Sequence, residues 1–95
     1  VSAKLDKSNV EALHFRSVKC SPLGAYAFDW ENTHTTAPSA VSITQYQVDD
    51  AADRIVHPML WGYDNKSAQI RMWRSDNNAW SANATTSFDV IAIWL

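Results

Sequence analysis

The sequence predicts an all-β domain of six short antiparallel strands, a sandwich or a barrel, and three observations carry that prediction. Aromatic residues are dense for 95 positions, with five tryptophans, three tyrosines and three phenylalanines. Apolar and polar residues alternate with a period of two, the spacing at which a half-buried strand shows one face to a core. Turn-forming clusters interrupt these runs at Ser21-Pro22-Leu23-Gly24, 31–39, 49–53, Asp64-Asn65-Lys66 and 75–78.

The first strand is expected over Val10 to Val18. Its start has a competing reading, because Ser8-Asn9-Val10-Glu11 has the Ser-x-x-Glu form of a capping box. On that reading residues 1–12 hold an N-terminal extension or a short helix before His14. From Ala25 to Trp30 the chain alternates, placing Tyr26, Phe28 and Trp30 on one face. Pro38 breaks the next segment, and a strand rich in β-branched residues follows over Ala40 to Val48, with Val41, Ile43 and Gln45 opposed to Ser42, Thr44 and Tyr46. Asp49, Asp50 and Asp53 form an acidic loop, and Arg54 opens the run Ile55 to Tyr63. Pro58 cannot donate to a ladder, so that run is an edge strand or carries a bulge.

A fifth run opposes Ile70, Met72 and Arg74 to Gln69, Arg71 and Trp73. The last, Ser87 to Leu95, places Phe88, Val90, Ala92 and Trp94 on one face and Ile91, Ile93 and Leu95 on the other. A small sandwich has one interior, so the second apolar face must meet another chain or another part of its own. Trp94 beside Leu95 predicts an oligomer; the other reading folds Trp94 back under the N-terminal segment.

Composition narrows the function. The chain is 46% hydrophobic and 19% charged, which is globular rather than disordered. A net charge of −2 with scattered Lys and Arg gives no basic stripe for a phosphate backbone, so nucleic acid is excluded as a partner. No apolar run is long enough for a membrane-spanning helix, and membrane insertion is not expected. The chain opens on Val1 with neither Met nor leader, as a processed product or a piece of a longer protein would. Cys20 is alone, so no disulfide forms within the chain; a buried thiol is expected.

Catalytic patterns are missing. His14, His34 and His57 lack metal-ligand spacing, and no His-Glu-x-x-His, Cys-x-x-Cys, nucleophile elbow or glycine-rich phosphate loop occurs. Asp49, Asp50 and Asp53 could suggest calcium, but without alternating ligands or a central glycine they read as a solvated turn. The expectation is a non-enzymatic protein without metal or cofactor. Met72 to Trp80 supports binding instead, because Trp73 and Trp80 flank a turn containing Arg74, Asp76, Asn77 and Asn78. Sugar rings have apolar faces and hydroxyl rims, which an aromatic plate and charged or amide side chains can grip together. The alternative places both indoles in the core and leaves an ordinary turn between them.

Ser42-Ile43-Thr44-Gln45, Val48, the acidic loop and then Arg54 follow an order that resembles the H-type lectins. Phe28 upstream, and Gln69 to Trp73 and Phe88 to Leu95 downstream, can be placed on that family's strands. The resemblance implies a six-stranded antiparallel β-sandwich, assembled as trimers or pairs of trimers. Galactose- or N-acetylgalactosamine-type glycans would bind in clefts between subunits without a metal. It implies a binding arginine at Arg54 and an aromatic plate at Trp73, or at Trp80 in another alignment. The chain departs from the family in having Arg74 where histidine is frequent and no carboxylate over Ser17 to Gly24. It also lacks the N-terminal cysteine pattern of the animal members. Similar sandwiches occur at the tips of phage tail fibres, where trimers bind host glycans.

The leading expectation is a multivalent carbohydrate-binding module, outside a cell or on a virion, with Arg54, Trp73, Arg74, Asp76, Asn77 and Trp80 at the sugar. The alternative from a different class is a structural module of a fibre, capsid or other assembly, held by its tryptophan-rich faces and without a small ligand.

Overall fold

A computed structural model of the chain describes residues 7–21, 24–46, 56–76, 78–81 and 85–95. A single 3₁₀ turn, Lys7–Asn9, precedes seven strands among these residues: β1 Val10–Lys19, β2 Ala25–Asp29, β3 Ala40–Gln45, β4 Val56–Tyr63, β5 Ser67–Arg74, β6 Ala79–Trp80 and β7 Thr85–Ile93. Six correspond to the expected runs. The seventh, β6, is a two-residue strand made by the turn after β5. At the N-terminus the helical reading gives way after that 3₁₀ turn. Glu11 does not cap a helix; its carboxylate is drawn inward to other partners described below.

The strands form two antiparallel sheets, sandwich-like in arrangement. One has the order β1-β7-β3 and the other β2-β5-β4, with β6 attached to β5. Leu13, Phe88, Val90 and Ala92 from the first sheet pack with Phe28, Ala68, Ile70 and Met72 from the second. Phe88, Ile70, Met72 and Val90 are the largest fully buried side chains. Burial of such a side chain contributes roughly 1.5–3 kcal/mol each, so these four anchor the interior. The alternation read from the sequence holds on β5, where Ala68, Ile70 and Met72 face in while Gln69, Arg71 and Trp73 remain half-buried.

Aromatic contacts tie the sheets together. Phe15 stacks on Phe88 with centroids 4.9 Å apart and meets Phe28 at 4.8 Å. Phe28 meets Trp30 edge-on at 5.6 Å, and Trp30 meets Trp94 edge-on at 5.3 Å. Such pairs add to the stabilisation from area burial alone.

Trp94 therefore corrects the argument for an exposed apolar end. It is only 7% exposed. Its backbone N–H donates to the Asn9 carbonyl at 2.8 Å, and its indole N–H donates to the Thr36 carbonyl at 2.9 Å. The indole lies against the 31–39 loop with its one polar atom satisfied, and the Trp94 backbone is tied to Asn9. Leu95 is exposed, and the outer face of β7 leaves Ile91 partly open.

β4 is an edge strand, as Pro58 requires, and it also carries an irregularity between Leu60 and Gly62. Gly24 has φ +77°, a left-handed conformation that side chains disfavour. A Cβ there would lie 2.9 Å from the Met72 carbonyl oxygen and 3.0 Å from that of Ser81. Met72 is where β5 changes partner: its N–H donates to Gly24, and its carbonyl accepts from Ser81. Glycine lets these backbones meet, which places β6 in line with β2 along β5.

Candidate functional site

The outer face of the β4-β5-β6 layer carries an aromatic group that no core explains. β5 supplies Trp73, and the turn after it brings Trp80 of β6 directly opposite in register. Arg74 and Asp76 hold this turn with a two-pronged pair: Arg74 Nε donates to Asp76 Oδ1 at 3.1 Å and Nη2 to Oδ2 at 2.7 Å. Asn78 completes it at φ 51°, a conformation asparagine tolerates better than most residues. Trp61 comes from the irregular segment of β4. Trp80 is the hub, meeting Trp61 edge-on at 5.3 Å and Trp73 edge-on at 5.1 Å.

Arg71 lies within this group. Its guanidinium carbon is 4.1 Å from the centroid of the Trp61 ring and 5.5 Å from that of Trp80, close enough for cation–π attraction. Across the ladders Arg71 stands opposite Ala25 on one side and Met59 on the other. Its Nε is buried and has no hydrogen-bond partner among the described residues. Trp61 remains 52% exposed, whereas Trp73 and Trp80 are half-buried. A separate concavity of about 290 Å³ is lined by Ala27, Gly62, Tyr63, Asp64, Ser67 and Gln69, and none of the three tryptophans or Arg71 lines it.

Of the residues expected at a binding site, Trp73 and Trp80 come together, with Arg74 and Asp76 at the turn joining them. Neither indole is in the core, so that alternative reading fails for both. Arg74 and Asp76 are spent partly on each other while both remain well exposed. Arg54 and Asn77 lie outside the described residues, as do Asp49, Asp50 and Asp53. Sequence reasoning missed Trp61 and Arg71. Alternation through His57, Met59 and Trp61 could have found the first, since all three are exposed on β4.

Other polar groups are occupied structurally. Glu11, buried on β1, accepts from the backbone N–H groups of Glu31 at 2.7 Å and Asn32 at 3.2 Å, and pairs with His34 Nε2. Burial opposes ionisation of this carboxyl, but the His34 contact and the two N–H donors outweigh it, holding its pKa below the ordinary value. These contacts fasten the 31–39 loop to the sheet. Asp89 pairs with His14 at 2.9 Å and Arg16 at 2.8 Å, and those two hydrogen bonds likewise hold its carboxyl low. Cys20 is buried, as expected, and burial pushes its thiol pKa up, away from the reactive thiolate.

Among the described residues no group of three or more His, Cys, Asp or Glu side chains is placed to hold a metal ion. No helix among them is long and apolar enough to cross a membrane. No family model, curated protein or solved structure matches the chain.

Proposed function

We propose that the protein is a non-enzymatic carbohydrate-binding module and that Trp61, Trp73 and Trp80 form its platform. The observation that carries this reading is a cluster of three indoles on an outer sheet face, one of them 52% exposed, with charged groups at hand. Stacking aromatics on the outside costs solubility unless something apolar and flat covers them. A pyranose ring offers such a face, and its hydroxyls suit Arg74 and Asp76, whose exposed pair can be shared with a ligand. The H-type lectin resemblance supports the same class and adds Arg54, and Asn77, next to Asp76 in the sequence, is of a type that hydrogen-bonds sugar hydroxyls. It also supports a trimer or hexamer displayed outside a cell or on a virion, where several weak sites act together.

The test is a broad glycan array, followed by titration of tryptophan fluorescence with each carbohydrate that binds. Binding to a coherent glycan set, with a saturable change in fluorescence, is expected. A blank array from folded protein, with no fluorescence response, would sink the reading.

A second reading draws on β4 alone. Met59, Trp61 and Tyr63 are all exposed on this edge strand, a row suited to contact with another subunit. On that reading the module holds an assembly together, and light scattering should show a stable oligomer that substitution of Met59 and Tyr63 by serine dissociates.

A further inference from the structure

Arg71 is a cation left without an acidic partner among the described residues. The ion pairs there engage His14, Arg16, His34 and Arg74, whereas Arg71 enters none. Arg74, three residues further along the same strand, directs its fork at Asp76. Arg71 instead rests against the Trp61 and Trp80 rings, held by cation–π attraction. Its Nε–H is buried without an acceptor among the described residues. Buried donors are nearly always satisfied, so the orphan sets Arg71 apart, and a ligand would meet the part of its half-buried side chain that stays open to solvent.

We propose that Arg71 is the anion-binding residue of this platform and that the glycan bears a carboxylate, as uronic and sialic acids do. The inference rests on the carbohydrate reading above. Three features favour a carboxylate. A guanidinium presents its donors in a planar fork that matches a planar two-oxygen acceptor. The neighbours across the ladders, Ala25 and Met59, are uncharged, so no carboxylate of the protein competes from those positions. The indoles around the cation exclude water from one side, which strengthens a charged hydrogen bond. The sugar ring would lie along the tryptophans with its acid group turned to Arg71.

The experiment compares lactose, 3′-sialyllactose, lactose 3′-sulfate, neutral galactotriose and trigalacturonate by fluorescence titration at low and moderate salt. At least one carboxylated sugar should bind about ten- to a hundredfold tighter than its neutral counterpart, with the preference shrinking as salt rises. Arg71→Met should erase that preference, so that the carboxylated sugar binds this variant no more tightly than its neutral counterpart. Should this variant fail to fold, Arg71→Lys keeps the charge and aliphatic stem but not the fork, and should reduce the preference. Equal binding of acidic and neutral sugars would overturn the proposal and leave the carbohydrate reading standing. A sulfated sugar bound above every carboxylated one would overturn the carboxylate assignment. Binding of none would overturn both.

Discussion

The imidazole of His34 lies flat on the indole of Trp94, with ring centroids 3.6 Å apart and planes within 6° of parallel. This stack closes the end of the core beneath the 31–39 loop, and the Trp94 N–H to Thr36 bond fixes its orientation. Trp94→Ala should therefore destabilise the protein by roughly 3–5 kcal/mol, read from urea denaturation. A loss below ~1 kcal/mol would mean that the indole is not a core element.

Acid should loosen the same corner. Glu11 has its carboxyl pKa lowered from an ordinary 4.5: burial resists, but His34 and the N–H donors of Glu31 and Asn32 prevail. A lowered folded-state pKa means that the carboxylate's contribution is fully present above the unfolded value and lost as pH falls through the folded one. Glu11→Gln should cost about 1–3 kcal/mol near neutrality, and its difference from the parent should narrow below pH ~4.5. Denaturation curves across that range check the sign; a gap that widens on acidification would contradict it.

Gly24→Ala should lower stability by about 1–3 kcal/mol, because φ +77° disfavours a side chain and the new Cβ would press on two carbonyl oxygens. Those oxygens belong to Met72 and Ser81, on either side of β6, so the change should also alter tryptophan fluorescence from the Trp80 cluster. Unchanged stability and emission would show that the junction adapts freely.

Trp80→Ala should weaken glycan binding by tenfold or more and exceed the effect of alanine at Trp61 or Trp73, because Trp80 touches both. All three variants should remain folded by circular dichroism, since none of the three indoles is part of the core. Unfolding of Trp73→Ala would instead return that residue to a structural role.

Cys20 should resist a thiol-reactive dye in the native state and react fully in denaturant. It is buried, and its thiol is less readily ionised than an exposed one. Rapid native labelling would show that this end of β1 opens readily.

Alternation made most of the fold legible. It set Ile70 and Met72 on the face opposite Gln69, Arg71 and Trp73 without deciding which face lies inside, and Pro58 marked β4 as an edge strand or a bulged one. It was less informative where side chains meet across long sequence separations. Ser8 and Glu11 have capping-box spacing, yet a buried glutamate whose partners lie in the 31–39 loop signals its role only after the chain folds. Trp94 looked exposed for the same reason, since its cover is a loop without periodicity. For the site, Trp73 and Trp80 were visible as neighbours around one turn. Trp61 and Arg71 join them through strand pairing, which local spacing does not encode.

The order β1-β7-β3 has a consequence for how the chain acquires its structure. β7 lies between two strands that precede it by dozens of positions, and these have no ladder with each other. During synthesis the inward faces of β1 and β3 must wait for a partner made much later. Folding of that half cannot proceed stepwise from the N-terminus, and its rate is set by a late, long-range capture. A slow ribosome or a mutation in 85–93 would prolong the interval in which Leu13 and Ile43 are open to the wrong partner.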